Sequence, residues 1–446
     1  MAVIAKNCPD IEVEVVDINE TRIKAWNDIN LENLPVFEPG LSEILKDVRN
    51  KNLTFSSNIE SSIRNSDMIF ISVNTPIKKK GMGAGQTSDL RWVESCARQI
   101  SKSAKGHTIV VEKSTLPVKT AQTIKEILDS SITNNFPENR SFSVLSNPEF
   151  LAEGTAINDL VNPDRVLIGG DDLEAMNALK EIYMKWVPEN KILYTNLWSS
   201  ELSKLSANAL LAQRISSINS LSAICEVTGA EIGDVANAVG MDSRIGSKFL
   251  KAGPGFGGSC FKKDILNLVY LSRFYGLNEV ADFWQETVSI NSWQQTRIYK
   301  EIVARLFGNL VDKKIAILGF AFKENTNDTR ESPAIDICRN LLNEGAFLNI
   351  HDCKVNEETI DNDLSSENSL NRNMWAYKED VYSVFEDAHA VILMTEWSIY
   401  KTLSWDRILP VVKKPFWVFD TRLIVNPIEI KNLGINLWQL GNGMSQ

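Results

Sequence analysis

The residues best suited to covalent chemistry form one run, Gly255-Phe256-Gly257-Gly258-Ser259-Cys260-Phe261-Lys262-Lys263-Asp264. A helix start with neighbouring lysines favours the thiolate of a cysteine, which is its nucleophilic form. Glycines let the backbone come close to a ligand. Asp264 lies four residues beyond Cys260, one helical turn away on the same face. A lone cysteine beside a tight turn is ordinarily an inert buried thiol; the glycine run, the lysines and the carboxylate together point to a nucleophile. Lys204 and Asn208 form a second pair at i and i+4 in a long helical stretch, so they face the same way. The alternative for that pair is a solvated helix face.

These groups need elements to hold them. Apolar β-type runs at Ile11–Asp17, Met68–Val73, His107–Val111, Phe142–Leu145, Arg165–Ile168 and Lys191–Tyr194 alternate with helical stretches. That alternation predicts a parallel α/β sheet, whose ligands bind at the carboxyl ends of the strands. Polar segments follow three of the strands: Asn74-Thr75-Pro76, Glu112-Lys113-Ser114-Thr115 and Ser146-Asn147-Pro148-Glu149. From Ser199 to about Val227 the pattern predicts one long helix, with Ser199 and Ser200 as cap candidates, Glu201 in the first turn and Gly229 as the stop. At 1.5 Å per residue it would span roughly 45 Å, long for one domain and suited to linking or dimer formation. Helical sequence continues to about Leu306, and a second α/β unit opens at Lys314–Leu318, with strands at Phe347–Ile350, Ala390–Met394 and Trp417–Phe419. The Ser/Asn-rich stretch 361–373 reads as a surface loop. The expected fold is α/β, with two Rossmann-like parallel-sheet domains joined by a long central helix. Its expected divisions are 1–196, a first α/β domain, 197–306, a helical domain, and 307–446, a second α/β domain.

Composition bounds the partners. The 446 residues allow about three domains at roughly 150 residues each. With 43% hydrophobic and 23% charged residues, a disordered, collagen-like or coiled-coil chain is excluded. Asp+Glu 57 against Lys+Arg 47 leaves a net charge of −10, which does not supply the broad basic footprint of a nucleic-acid binder. A local Arg/Lys group for a small phosphate ligand remains open. No apolar run approaches the ~20 residues of a membrane span, and the apolar stretch of Met-Ala-Val-Ile-Ala-Lys is too short for a signal peptide. The cysteines at 8, 96, 225, 260, 338 and 353 form no CxxC pair, and the histidines at 107, 351 and 389 are few and scattered. No metal site is expected, and the compartment is expected to be the reducing cytoplasm.

In a dinucleotide-binding unit, an acid at the end of the second strand binds the cofactor ribose, ~20 residues after a glycine-rich turn. Asp17 has that setting, followed by Asn19 and Arg22, yet the sixteen residues before it hold no glycine. Met1–Cys8 reads as the end of the crossover helix. The first strand and its GxGxxG turn are thus expected to be missing, leaving two neighbouring strands without a hydrogen-bonding partner. Otherwise Asp17 merely ends an ordinary strand.

Taken in order, Val73-Asn74-Thr75-Pro76, Glu112-Lys113-Ser114-Thr115, Ser146-Asn147-Pro148-Glu149-Phe150-Leu151-Ala152-Glu153-Gly154, Ser200-Glu201-Leu202-Ser203-Lys204-Leu205, Gly257-Gly258-Ser259-Cys260-Phe261 and Gly319-Phe320-Ala321-Phe322-Lys323 closely resemble the UDP-glucose 6-dehydrogenases of animal type. The likeness runs from the crossover helix before Asp17 to Arg422. It implies oxidation of the C6 alcohol of UDP-glucose by NAD in two hydride steps. The aldehyde would be caught by Cys260 as a thiohemiacetal, oxidised to a thioester and released by water as UDP-glucuronate. The resemblance makes Lys204 the electrostatic stabiliser, Asn208 a positioning amide, Asp264 the base or water-orienting carboxylate, Glu149 the base for thioester hydrolysis and Thr115 a holder of water. For the substrate it implies Glu149, Phe150, Leu151, Glu153, Lys204, Asn208, Phe249, Leu250, Lys251, Phe256, Gly257, Lys323 and Arg422, with Arg244 reaching a neighbouring subunit. For NAD it implies Asp17, Arg22, Val73, Asn74, Thr75, Pro76, Ser114, Thr115, Glu153, Cys260, Lys263 and Arg330. It also implies a homo-oligomer, a hexamer, built around the 199–227 helix.

The chain departs from that pattern at three places. The glycine-rich loop is missing, the Phe-Asp-Gly-Arg motif reads Phe419-Asp420-Thr421-Arg422, and the loop Ile77–Gln86 carries Ala84 and Gln86 in place of basic residues. The alternative expectations are a catalytically silent or regulatory truncated subunit, favoured by the missing phosphate cradle, and a relative acting on another nucleotide sugar.

Overall fold

The computed structural model describes residues 1–114, 118–130, 140–365 and 373–443. The chain divides into two compact units, Met1–Ala207 with Leu266–Ala281, and Asn208–Ile265 with Asp282–Gln446.

The first unit alternates short strands and helices: α1 Ala2–Asn7, β1 Val13–Val16, α2 Glu20–Asn27, α3 Leu41–Val48, β2 Leu53–Ser56, α4 Ile59–Arg64, β3 Met68–Ile71, α5 Arg91–Ser103, β4 His107–Glu112, α6 Thr120–Ser130, β5 Ser141–Ser146, α7 Ala156–Val161, β6 Val166–Gly169, α8 Leu173–Met184 and β7 Ile192–Thr195. β1 pairs with β2 in parallel from Val13↔Leu53 to Val16↔Ser56. A separate sheet runs β3-β4-β5-β6-β7. Among the described residues no ladder joins β1 to β3, the arrangement expected of a sheet with no strand between those two edges. Their side chains still share one apolar cluster, in which Val13, Val15, Phe55 and Phe70 pack with Leu41, Ile44 and Leu45 of α3. The sheet is not wholly parallel, because β6 meets β5 antiparallel at Ser146↔Gly169. β2 was not expected: Leu53-Thr54-Phe55-Ser56 is too short to stand out from a loop.

Four helices follow: α9 Leu197–Thr228, α10 Ile232–Gly240, α11 Phe261–Phe274 and α12 Asn278–Arg305. The predicted long helix is present but starts two residues earlier. Its cap is the Asn196 side chain, which accepts the Ser199 N–H at 2.8 Å. Ser199 and Ser200 are therefore inside the first turn, an ambiguity that arises because asparagine and serine cap equally well. Gly229, at φ +82°, ends the helix as expected.

The second unit adds β8 Lys314–Leu318, α13 Pro333–Asn343, β9 Phe347–His351, α14 Glu357–Ser365, β10 Trp375–Tyr377, β11 Ala390–Leu393, α15 Ser398–Lys401, α16 Trp405–Ile408, β12 Trp417–Asp420, α17 Pro427–Asn432 and β13 Asn436–Gln439. Residues 361–365, expected in a loop, finish α14; 366–372 fall outside the described residues. The sheet order is β10-β9-β8-β11-β12-β13, all parallel. Ile315, Ile317, Ala390 and Ile392 feed one apolar cluster. Ala316, Leu318, Val391 and Leu393 feed another. A parallel sheet covered on both faces explains why β8 from Ile315 onward and β11 throughout are apolar. The order reverses between β8 and β11, so the crevice beyond their carboxyl ends is where such a sheet takes its ligand.

Gly319 opens the loop after β8 at φ +97°, and a Cβ there would overlap the Thr395 side chain after β11. Gly319→Ala should therefore destabilise the fold by about 3 kcal/mol or more, since strain and overpacking add. A urea midpoint equal to wild type would contradict this packing.

Candidate active site

In the second unit, Cys260 directly precedes α11, and its carbonyl accepts the first helical bond from the Asp264 N–H at 2.8 Å. The thiol is partly exposed and lies 3.5 Å from the Ser259 hydroxyl. One turn on, the Asp264 carboxylate is fully buried, accepts a 2.6 Å bond from the Asn208 side-chain amide and has the Lys263 ammonium at 3.9 Å. Cys260, Asn208, Lys263 and Asp264 are thus brought together. Lys204 and Asn208 are both buried, which excludes the solvated-face alternative.

The glycine run packs against the loop after β8. A Cβ on Gly257 would lie 2.6 Å from the Glu331 carbonyl oxygen and 2.8 Å from the Phe322 Cβ; one on Gly258 would touch the Phe322 ring at 3.0 Å. Lys262 ties the same two segments through Glu331 at 2.8 Å.

The preceding segment is pinned by amides that the sequence did not reveal. Asn291 accepts the Phe256 N–H at 2.7 Å and donates to its carbonyl at 3.1 Å. Asn219 accepts the Gly253 N–H at 2.9 Å, and Gln294 donates to the Gly253 carbonyl at 2.9 Å. Arg214 donates to the carbonyls of Ile245, Gly246 and Lys248, fixing the stretch that leads to Phe249, Leu250 and Lys251. Phe249 has φ +61°, unusual for a bulky residue. Lys251 is exposed.

Beyond the strands of this unit, Arg422 donates to the Met394 carbonyl at 2.7 Å and the Phe322 carbonyl at 3.0 Å, and pairs with Glu396 at 3.1 Å. Glu396 is half-buried, yet Arg422 and Lys251 hold its carboxyl below the usual range against the cost of that burial. Asp352 follows β9, where a dinucleotide unit keeps its ribose acid. Here it accepts the N–H groups of Phe320 at 2.7 Å and Ala321 at 3.0 Å instead. Thr421, the departure noted above, is buried and donates to the Leu393 carbonyl at 2.6 Å, tying β12 to β11. Arg244 is bound by Asp242 and largely exposed, apart from the other predicted groups. Arg330 is bound by Asp328.

In the first unit, Ser114 after β4 donates to the Val73 carbonyl at 2.9 Å, joining two predicted loops; Thr75 nearby is buried. Thr115 lies outside the described residues. Lys113 donates to the Asn147 side chain at 3.0 Å and to the Tyr183 hydroxyl at 3.2 Å, and Tyr183 donates to Asn147 at 2.7 Å. Next along the chain, Glu149 and Phe150 are partly buried, and the Phe150 ring has Arg165 at 3.8 Å and Lys204 at 5.6 Å. Leu151 and Glu153 are also partly buried, and the Gly154 and Ala156 N–H groups bond to Glu38 at 2.8 and 2.7 Å. Asp17, just past β1, pairs with Arg22 at 3.2 Å and accepts the Asn19 N–H at 2.8 Å. Tyr183, Arg165 and Glu38 escaped the sequence reading because their partners are distant in the chain.

Comparison with known proteins adds three matches along the chain. Residues 1–187 match the NAD binding domain of the UDP-glucose/GDP-mannose dehydrogenase family, 198–293 its central domain and 316–427 its UDP binding domain. The UDP-glucose 6-dehydrogenase of Mus musculus is 51% identical over 455 residues, spanning 100% of this chain and 91% of that protein. UDP-glucose 6-dehydrogenase 3 of Arabidopsis thaliana is 50% identical over 467 residues, spanning 100% and 95%. Among solved structures, a UDP-glucose dehydrogenase from Pyrobaculum islandicum superposes with TM-score 0.83 at 28% identity, covering 99% of this chain and 94% of that one. The fold is also that of a UDP-D-ManNAc dehydrogenase from Pyrococcus horikoshii, with TM-score 0.80 at 22% identity, covering 99% and 96%.

Two buried acids lie in the first unit. Burial pushes the Glu201 carboxyl up to about 7 from an ordinary 4.5, despite backbone N–H donors at Lys119 and Ala121. Burial, and then the charge of Glu201, raise Glu112 well above the usual range. Between about pH 4.5 and 7 the folded chain keeps a proton on Glu201 that the unfolded chain has lost. Stability from this group is greatest below that window and falls as pH rises through it, by on the order of 3 kcal/mol. The Tm of wild type should fall more steeply from pH 5 to 7.5 than that of Glu201→Gln; parallel curves would contradict the assignment.

Proposed function

The chain belongs to the UDP-glucose/GDP-mannose dehydrogenase family, and from that premise we propose that it oxidises UDP-glucose to UDP-glucuronate through a covalent adduct on Cys260. The observation that carries this reading is the accessible thiol at the start of α11 with the buried Asn208–Asp264 pair one turn away. A cysteine in that place can add to an aldehyde and hold it for a second oxidation.

The residues present fit NAD at two ends. Asp17, at the carboxyl end of β1, offers a carboxylate to a ribose, with Arg22 beside it. The bonded loops at Val73–Pro76 and Ser114 suit the other end, with Thr115, Glu153, Lys263 and Arg330 as further proposed contacts. No glycine occurs before Gly40, so residues 1–39 supply no glycine-rich cradle for the pyrophosphate. When bound, NAD supplies the acceptor for the hydride that leaves C6.

In the first step the C6 hydroxyl loses its proton to Asp264 directly or through a water that Asp264 orients, and its hydride departs. Lys204 stabilises the developing oxyanion and Asn208 positions it. The Cys260 sulfur then adds to the aldehyde carbon, and the oxygen takes up a proton to give the thiohemiacetal. Loss of a second hydride and that proton gives the thioester. Glu149 takes a proton from water, the resulting hydroxide adds, and the thiolate leaves with UDP-glucuronate. Lys323 and Arg422 offer cations to the diphosphate, with Phe249, Leu250, Lys251, Phe256 and Gly257 as sugar and nucleotide contacts and Phe150 and Leu151 as further proposed contacts. Arg244, preorganised by Asp242 and exposed, is assigned to a neighbouring subunit's substrate.

The segments 1–196, 197–306 and 307–446 are assigned to NAD, to assembly and catalysis, and to the UDP-sugar. In the second unit, Leu210, Leu221, Ile224 and Val227 of α9 are large apolar side chains left exposed, which supports a homo-oligomer, a hexamer, built on that helix. Among the described residues no helix is long and apolar enough to cross a membrane. We assign the protein to the cytoplasm on its six unpaired cysteines.

The test mixes the full chain with UDP-glucose and NAD. Two NADH should form per UDP-glucuronate, and Cys260→Ser should abolish net turnover. A folded chain that binds UDP-glucose without forming NADH, or full activity of the serine variant, would contradict the reading. Light scattering at micromolar concentration should show an oligomer, and Ile224→Glu should dissociate it; a monomeric wild type would refute the assembly.

A further inference from the structure

The Ser200-Glu201-Leu202-Ser203-Lys204-Leu205 segment holds two buried polar residues that the mechanism leaves unused. We propose that Ser200 and Glu201 are positioning residues, through which the first turn of α9 holds the start of α6 and the end of β5 and so places Glu149. The proposal rests on the reading of Glu149 given above.

The clamp has two jaws. The two oxygens of Glu201 take separate main-chain donors, Oε2 the Lys119 N–H at 2.7 Å and Oε1 the Ala121 N–H at 2.8 Å. These donors lie at the start of α6, where N–H groups have no acceptor within the helix, and a carboxylate there also meets the favourable end of the helix dipole. The loop after β4 ends at this point. On the other side the Ser146 hydroxyl donates to the Ser200 hydroxyl at 2.9 Å, and Ser146 closes β5 immediately before Asn147-Pro148-Glu149. The turn seats tightly, because a Cβ on Gly169 of β6 would lie 2.5 Å from the Ser200 Cβ.

The network continues to the site. Glu112, the last residue of β4, is bonded to Ser146. Lys113, next in the chain, holds Asn147 and Tyr183. The ends of β4 and β5 are thus braced once through Glu112, Ser146 and Ser200, and again through Lys113, Asn147 and Tyr183. Among the described residues, the charged groups beside Glu201 are Glu112 of β4 and Lys119 before α6. The Lys119 ammonium turns away, lying over the rings of Trp198 and Tyr275. A carboxylate can accept from both N–H groups. A glutamine accepts one and presents its own N–H₂ to the other.

The experiment uses the full chain with Glu201→Gln and Ser200→Ala, reading steady-state kinetics and amide hydrogen exchange. For Glu201→Gln, exchange at Lys119 and Ala121 should rise about tenfold or more, and kcat should fall about tenfold while KM for UDP-glucose stays within about threefold. The kcat–pH profile should lose a limb near pH 7 that wild type shows. Ser200→Ala, the milder variant, should lower kcat about threefold. Unchanged exchange at both amides would overturn the clamp. Faster exchange with wild-type kcat and pH profile would overturn its part in the reaction. Exchange can be read even from a chain that turns over no UDP-glucose, so a failure of this proposal is distinguishable from a failure of the reading beneath it. Should Glu201→Gln not fold, a Ser200→Ala enzyme with wild-type kcat and exchange would overturn it.

Discussion

Loops at the carboxyl ends of parallel strands carry main-chain N–H groups that no neighbouring strand can bond, and buried N–H groups need acceptors. This chain meets that need with carboxylates. Glu201 takes the start of α6, and Glu38 takes Gly154 and Ala156. Asp352 takes Phe320 and Ala321 with one oxygen and Lys354 and Val355 with the other. Asp420 takes Arg422, Ile424 and Val425. The loops that carry Glu153, Lys323 and Arg422 are each adjacent to, or contain, one of these anchors. Removing an anchor would leave several donors unsatisfied at once, which is costlier than losing one exposed bond.

The same device separates the tasks of the two units. In the second unit the acid after β9 is consumed by its own loop, so it is not offered to a ribose as in a dinucleotide site. In the first unit Asp17, just past β1, pairs with Arg22 and closes a local turn through the Asn19 N–H. The two sheets thus share an architecture and differ in how one carboxylate is used.

Much of this was legible in the sequence where chemistry and spacing coincide. Cys260 and Asp264 fall one turn apart as their spacing requires, and β6, β8 and β11 were readable because strands covered on both faces are apolar throughout. Among the described residues, the lack of a ladder between β1 and β3 accords with the glycine-free run before Asp17. What was hidden has a common cause. Glu201, Arg214, Asn219 and Asn291 act on main-chain atoms about 30 to 80 residues away, and a main-chain atom carries no residue type to read. The glycines at 257 and 258 accommodate Phe322, a contact no local pattern announces. β2, β10 and β13, at three or four residues each, are too short for periodicity to register.

The account turns on a covalent bond to one sulfur. The most direct measurement is mass spectrometry of the acid-quenched protein after mixing with UDP-glucose and NAD, with peptide mapping of the adduct. The account predicts a UDP-glucuronyl thioester on the peptide containing Cys260, absent without NAD. UDP-glucuronate formed with no adduct on that peptide in rapidly quenched samples, or an adduct on another cysteine, would contradict it.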